Sequence, residues 1–245
     1  MPCEDEGISL FFPVYKDEET IELMAHKALA MLGELERPYE IIIVNDGSPD
    51  RCGELADALA IKYPQIRVIH HPKNLGYGAA IRTGLKAAKH NWICMVDGDD
   101  QYDVFEFLHL LKLINHYDLI ITFRYKKIYS AWRIFISWVY NILLRILFRT
   151  PFRDISTGLR IVNRRILEDV ELTSNSPFIG AELAIKSMLM GYPVGEVGIQ
   201  TFPRNFGDGS ATTWANILAT IRDMVRVYKH VFSQDYKTKF RREMD

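Results

Sequence analysis

Three aspartates within four residues are the strongest candidates for chemistry in this sequence. Asp97, Asp99 and Asp100 directly follow an apolar run that is typical of a buried strand. Residues two apart on an extended segment point the same way, so Asp97 and Asp99 can share one cation, with Gln101 next in phase. Carboxylates at this spacing suit Mg²⁺ or Mn²⁺ on a diphosphate, and Gly98 lets the backbone approach a ligand closely.

An acidic turn that caps a helix is the alternative interpretation of this cluster. A single aspartate after a strand usually has that role. Three carboxylates in four positions would repel one another without a cation, which favours the metal site.

Apolar runs that alternate with segments of helical periodicity must position these aspartates. Strands are predicted at 8–14, 40–44, 66–69, 92–96 and 119–122, and helices at 17–35, 51–63, 76–90 and 104–115. This alternation indicates βαβ units, and therefore an α/β fold with a mostly parallel central sheet and helices on both faces. Open sheets of this kind bind ligands outside the carboxyl ends of their strands, which is where the aspartates fall.

Two further loops at that edge carry candidate binding residues. Pro13 and Tyr15 end the first strand and begin its loop, and Val44 and Asp46 do the same for the second. Asp46 can accept hydrogen bonds from a base or ribose, although its segment also fits a plain turn that caps the next helix.

The segment from Asn74 to Gly78 precedes the third predicted helix, whose backbone N–H groups can face a nucleotide. Its glycine pattern is incomplete and follows the third strand rather than the first. It therefore does not support binding of a dinucleotide such as NAD.

Composition bounds the class of protein. The chain has 245 residues, 48% of them hydrophobic, with a formal net charge of −1. That charge argues against nucleic acid as a partner, and three cysteines without CxxC spacing argue against a disulfide framework and a zinc site. No signal peptide is predicted at the acidic amino terminus. We expect one domain over 1–230, followed by a basic tail over 231–245.

One segment has the character of a membrane-interface helix, within the region 127–149. Between 132 and 148 the residues are almost all apolar or aromatic, except for Arg133, Ser137, Asn141 and Arg145. Their spacing of four places them in one narrow stripe of a helix. The run is shorter than the roughly 20 residues of a membrane span, and its tryptophans and basic flanks favour a helix lying in the bilayer interface over a buried core helix.

The order of these motifs resembles that of the family 2 glycosyltransferases, which have the GT-A fold. The resemblance is carried by Pro13-Val-Tyr15, Val44-Asn-Asp46-Gly-Ser48, Asn74-Leu-Gly76-Tyr-Gly78 and Asp97-Gly-Asp99-Asp-Gln101. Later motifs resemble those of the dolichol-phosphate and polyprenyl-phosphate sugar transferases within that family. They are Ile121-Thr-Phe-Arg124-Tyr125, Arg133-Ile-Phe-Ile-Ser137, the block from Arg153 to Arg160, and Pro203-Arg204-Asn-Phe-Gly207.

The resemblance implies an inverting enzyme that moves a sugar from a nucleotide diphosphate sugar to a polyprenyl phosphate, with Mg²⁺ or Mn²⁺ as cofactor. It implies metal ligation by Asp97, Asp99 and Gln101, catalytic roles for Asp99 and Arg204, and an acceptor-phosphate site at Arg124, Arg133 and Ser137. The implied nucleotide-sugar site is Pro13, Tyr15, Asp17, Val44, Asp46, Asn74, Gly78, Asp97 and Gly98. A peripheral position on the cytoplasmic face of a membrane follows, with a membrane surface and a small membrane-anchoring subunit as further partners.

The chain departs from the family's usual pattern at Lys16, Asn45 and Ala211, which leaves the sugar and the nucleotide open. Three alternatives also stay open: a family 2 transferase acting on a soluble or polysaccharide acceptor, a sugar nucleotidyltransferase, and an inactive scaffold subunit. Glu182 is either a helix-dipole acid or a group near the acceptor.

Overall fold

The computed structural model describes residues 7–125, 131–203 and 213–233. Several predictions lie outside these ranges. They are the catalytic role of Arg204, the departure at Ala211, residues 127–130 of the interface region and residues 234–245 of the basic tail.

Seven strands form one sheet in the spatial order β3-β2-β1-β4-β6-β5-β7. The strands are β1 Ile8–Val14, β2 Tyr39–Asn45, β3 Ile66–His70, β4 Trp92–Met95, β5 Leu119–Arg124, β6 Arg160–Asn163 and β7 Val194–Ile199. The helices are α1 Ile21–Gly33, α2 Cys52–Lys62, α3 Tyr77–Ala87, α4 Glu106–Leu110, α5 Ala131–Phe148, α6 Ile166–Asp169, α7 Ile179–Leu189 and α8 Trp214–Val231.

The mostly parallel sheet is confirmed, and β6 is its exception. β1 pairs in parallel with both β2 and β4, whereas β6 runs antiparallel to β4 and β5. Met95 at the end of β4 lies opposite Arg160 at the start of β6. The residues just before β6 therefore lie at the same edge as the aspartates that follow β4.

Period-two alternation in the strands places apolar side chains on both faces of the sheet. In β1, Phe11 packs on the side of α3, α5, α7 and α8, whereas Leu10 and Phe12 pack on the side of α1, α2 and α4. The prediction of helices on both faces is therefore confirmed. The short β6 and the glycine-containing β7 were missed because neither shows a clear apolar pattern.

Helix α5 is partly core and partly exposed. Leu144 and Phe148 are buried, whereas the side chains of Trp132, Phe135 and Trp138 are more than half exposed. Within the described ranges, no helix is long and apolar enough to cross a bilayer.

Candidate active site

The carboxyl edge of the sheet brings three predicted segments together. Pro13 lies beside Val44 in the register of β1 and β2, and the chain that leaves β4 stays next to β1, with the Val96 amide donating to the Phe11 carbonyl at 3.2 Å. A Cβ atom on Gly98 would lie only 2.5 Å from the carbonyl oxygen of Pro13. Glycine is thus required for the segment carrying Asp97 and Asp99 to approach the end of β1 this closely.

Asp97 is held in a polar but enclosed environment. The Tyr77 hydroxyl donates a hydrogen bond of 2.6 Å to its Oδ1. Burial, followed by repulsion from Asp99, raises the pKa of Asp97 to about 6, although Tyr77 and the buried Arg160 oppose this change. Two carboxylates that disfavour each other's ionisation form a site that a cation would stabilise.

The third aspartate of the cluster has a different partner. Asp100 has a positive φ of 57° and forms an ion pair of 2.6 Å with Lys27 of α1. Since Lys27 compensates its charge, Asp100 is not needed as a metal ligand.

The structure places the predicted metal ligands on one short turn. The Gln101 amide donates to Asp99 Oδ1 at 3.2 Å, and Gln101 as a whole is buried. In the described part of the chain, no group of three or more His, Cys, Asp or Glu could hold a metal ion. Mg²⁺ is commonly bound by one or two carboxylates, and phosphate oxygens of the ligand complete its coordination shell.

Residues 153–159, just before β6, form the other wall of the site. The sequence did not predict that they lie beside the candidate metal ligands. The Gly158 amide donates to the Tyr102 hydroxyl at 3.1 Å, and a Cβ atom on Gly158 would overlap the Asp97 carboxylate. Arg160 is 1% exposed and donates to the backbone carbonyl groups of Ile155, Thr157 and Gly180. Tyr77, Tyr102 and Gly158 lie within or next to the motifs quoted above, but spacing alone gave them no role.

Asp46 points into the protein. Its carboxylate accepts hydrogen bonds from the amides of Leu75 and Gly76, both at 2.9 Å, and lies 2.7 Å from His71 Nδ1. With 5% of its side chain exposed, Asp46 ties the end of β2 to the loop before α3. Its observed contacts are therefore within the chain, and they position the loop that carries Asn74.

The remaining residues of the predicted nucleotide-sugar site are divided between the surface and the interior of the protein. Tyr15 is 39% exposed, and Asp17 accepts a hydrogen bond from its amide. Asn74 is exposed, whereas Gly78 is buried and donates its amide to Asn175. A cavity of about 370 Å³ opens beside these loops and is lined by Lys16, Asp17, Glu18, Glu19, Thr20, Pro49 and Asp50.

Around the residues predicted to bind the acceptor phosphate, the polar stripe of α5 faces the loop before β6. Asn141 donates to Asp154 Oδ1 at 3.3 Å and accepts from the Ile155 amide, while Arg145 donates to carbonyl groups of the same loop. Arg124 pairs with Asp154 at 3.2 Å through Nε. Ser137 lies one turn and Arg133 two turns before Asn141, on the same stripe of the helix.

Glu182 is a structural anchor. It is fully buried, pairs with Lys186 at 2.6 Å, and accepts hydrogen bonds from the amides of Thr173 and Ser174. Burial alone would raise the pKa of Glu182, but the Lys186 ammonium and these hydrogen bonds outweigh it and lower the pKa. The observed contacts of Glu182 are therefore all within the chain, and they tie α7 to the residues just before it.

We expect Glu182→Gln to lower the free energy of unfolding by about 3–5 kcal/mol, because Lys186 would remain buried without a compensating charge. The control is Glu54→Gln, which removes an exposed pair with Arg51 and should change stability by less than about 1 kcal/mol. Denaturant unfolding at pH 7 measures both. The contribution of Glu182 is present above the unfolded pKa and is lost as the pH falls through the lowered folded pKa. Equal effects of the two substitutions would contradict the anchoring role.

The sheet and the paired carboxylates at its carboxyl edge define the class of GT-A transferase folds. The chain belongs to glycosyl transferase family 2, whose sequence profile matches residues 9–171. A solved structure of glucosyl-3-phosphoglycerate synthase from Mycobacterium tuberculosis, with Mn²⁺ and uridine-diphosphate-glucose, shares this fold. Its TM-score is 0.68 at 16% identity, over 91% of this chain and 78% of that one.

Two curated relatives are similar in sequence. Dolichyl-phosphate beta-glucosyltransferase ALG5C of Trichomonas vaginalis is 39% identical over 107 residues, which is 42% of this chain and 32% of the relative. Undecaprenyl-phosphate 4-deoxy-4-formamido-L-arabinose transferase of Pectobacterium carotovorum is 26% identical over 208 residues, 82% of this chain and 62% of the relative. The chain thus spans less than two thirds of either relative's length.

Proposed function

We propose that this protein is an inverting glycosyltransferase that moves a sugar from a nucleotide diphosphate sugar to a polyprenyl phosphate. The observation that carries the proposal is the junction at the carboxyl edge of the sheet. There Asp97, with Asp99 beside it, lies against Gly158 of the loop of residues 154–158, and this loop is also hydrogen-bonded to α5. The names of the two curated relatives support a polyprenyl-phosphate acceptor.

A divalent cation, Mg²⁺ or Mn²⁺, fits the oxygen ligands that the side chains of this site offer. Asp97 and Asp99 would hold it, with Gln101 beside them, and when bound it would neutralise the leaving nucleoside diphosphate. The raised pKa of Asp97 supports this assignment, because a bound cation would relieve its repulsion with Asp99. Pro13, Tyr15, Asp17, Val44 and the loop held by Asp46 would surround the nucleoside.

The acceptor phosphate would lie at the amino-terminal half of the polar stripe of α5. Arg133 and Ser137 would hold it, and Arg124, fixed by Asp154 and Ser156, would add positive charge. A phosphate with its second pKa near 6 is already a nucleophile at neutral pH, so its oxygen can attack C1 without a general base. Attack opposite the leaving diphosphate inverts the configuration at C1.

The absence of a base requirement separates this proposal from a polysaccharide acceptor. A sugar hydroxyl would normally need a carboxylate base. Glu182, the candidate carboxylate in that region, is fully buried and paired with Lys186. In the proposed arrangement α5 rests on the cytoplasmic face of a membrane, with a small membrane-anchoring subunit as a further partner.

A panel of nucleotide sugars assayed against one polyprenyl phosphate tests the proposal. The expected result is a sugar-linked lipid whose formation requires Mg²⁺ or Mn²⁺. If the chain transfers sugar to soluble glycans, and no donor yields a lipid product, the acceptor assignment is wrong.

We expect Arg133→Ala to raise the KM for the lipid acceptor about tenfold or more, because it removes a charge-assisted hydrogen bond to phosphate. The KM for the donor should stay unchanged. Arg37→Ala is the matched control, since Arg37 is half-buried like Arg133 and precedes β2 at the opposite edge of the sheet. An unchanged acceptor KM in Arg133→Ala would remove this residue from the acceptor site.

A further inference from the structure

Helix α8 has two apolar faces. One face is buried against the domain through Met224, Val227 and Val231. The other forms an exposed stripe of six residues with alternating spacings of four and three: Trp214, Leu218, Ile221, Val225, Tyr228 and Phe232. This spacing keeps the stripe on one line along the helix.

The exposure of this stripe is large for a helix that already contributes to the core. Trp214 is 78% exposed and Leu218 is 64% exposed, and the other four members are between 39% and 46% exposed. Contiguous apolar surface of this kind marks a binding face rather than ordinary solvent-facing surface.

The α8 stripe meets α5 at one end. The ring of Phe148, at the end of α5, lies 5.8 Å from the ring of Tyr228 and 6.4 Å from that of Phe232. Helix α5 carries its own exposed aromatic row of Trp132, Phe135 and Trp138, whose neighbouring rings are stacked about 6 Å apart. The two exposed apolar surfaces therefore belong to helices that touch.

Charge indicates which partner covers the α8 stripe. Arg222 lies four positions after Leu218, and Lys229 lies four positions after Val225, so both basic residues flank the stripe. The single acid of α8 is Asp223, which is buried, pairs with Arg226 at 2.9 Å and accepts hydrogen bonds from the amides of residues 175 and 176. Helix α5 contains no acid. An apolar stripe with basic flanks suits an anionic lipid surface.

We propose that α8 is a second membrane-binding helix, whose partner is a bilayer containing anionic phospholipid. The inference extends the proposed function, in which α5 alone contacts the membrane. The α8 stripe enters the lipid interface, and Arg222 and Lys229 reach the headgroups with their aliphatic stems along the apolar boundary. Contact through two touching helices restricts how the domain tilts on the membrane.

The test uses the full chain and vesicles of phosphatidylcholine with phosphatidylglycerol. The affinity of the double variant Leu218→Gln/Val225→Gln for these vesicles, measured by co-sedimentation, should fall by about tenfold or more. The reason is that two apolar side chains no longer leave water on binding. Ile61→Gln on α2, where Ile61 is 88% exposed, is the matched control and should bind like the wild type. Transfer to a short, water-soluble polyprenyl phosphate should be unchanged in the double variant, while transfer to vesicle-embedded acceptor should fall.

Trp214→Gln, at the first residue of α8, is a second variant that leaves the middle of the helix intact, and it should weaken sedimentation in the same direction. Unchanged vesicle binding in both variants would overturn the inference. So would a wild-type dimer that the double variant converts to monomer without loss of vesicle binding, since the stripe would then be a protein interface. If wild-type transfer to the soluble acceptor fails while the loss of vesicle binding is seen, the proposed function fails and the membrane-binding role of α8 stands.

Discussion

Asp99→Asn is expected to reduce sugar transfer by about 10³-fold, because the substitution removes half of the charge that would hold the divalent cation. The side chain keeps its shape, so the fold should be unaffected. Initial rates with a labelled nucleotide sugar over a range of Mn²⁺ concentrations measure the effect. Partial recovery at high Mn²⁺ would identify weakened metal binding as the cause.

Asp97→Asn should reduce transfer similarly but raise the stability of the metal-free protein. The folded pKa of Asp97 is about 6, above the unfolded value of about 3.9. The stability that the bound proton contributes is therefore fully present below about pH 4 and is lost as the pH rises through about 6. An asparagine has no such loss, and two pKa units correspond to about 2.9 kcal/mol, so at pH 7 the metal-free variant should melt about 6–11 °C above the wild type.

The control for both substitutions is Asp103→Asn, because Asp103 accepts a hydrogen bond from the Phe105 amide at the start of α4 and asparagine can do the same. This variant should retain transfer and show no pH-dependent gain. Mn²⁺ with donor should raise the melting temperature of the wild type and leave Asp97→Asn unchanged. Full transfer by Asp99→Asn would refute the metal assignment.

Gly158→Ala is expected to lower transfer by about 10²-fold or more, although it adds a single methyl group. The new Cβ atom would overlap the Asp97 carboxylate, which Tyr77 holds on its other side. Either Asp97 or the loop before β6 must move, and displacement of a reacting group by about 1 Å can cost this much.

Gly33→Ala is the matched control for this substitution, since a Cβ atom at Gly33 meets nothing within 4 Å at the end of α1. It should leave both transfer and melting temperature close to those of the wild type. Circular dichroism separates a local effect of Gly158→Ala from unfolding. Wild-type transfer by a folded Gly158→Ala protein would show that Asp97 does not need its observed position.

Local sequence pattern predicted much of the sheet because burial imposes it. The apolar run ending at Val14 and the run before Asp97 each correspond to a strand, since a strand covered on both faces needs continuous apolar side chains. The four-residue spacing from Arg133 to Arg145 likewise predicted one helix, observed as α5. β6 escaped prediction because four residues beginning with a buried arginine carry no such pattern.

The same limit applies to the individual side chains of the candidate site. Sequence identified Asp46 as a possible ligand contact, but only the folded chain shows its carboxylate bonded to the loop before α3. Sequence left Glu182 between a helix-dipole acid and a group near the acceptor, and only the folded chain shows its carboxylate buried against Lys186. Both outcomes depend on segments that approach in space, which residue type does not report.

The sequence by itself determined the fold class, the carboxylate pair of Asp97 and Asp99, and the amphipathic character of α5, because each follows from neighbours along one segment. The tertiary structure alone decided that Gly158 lies against Asp97 and that α8 exposes a second apolar face. Because β6 runs antiparallel to β4, its amino end lies at the carboxyl end of β4, which places Gly158 beside Asp97. Strand order and direction arise from packing the whole chain, so no local pattern contains them.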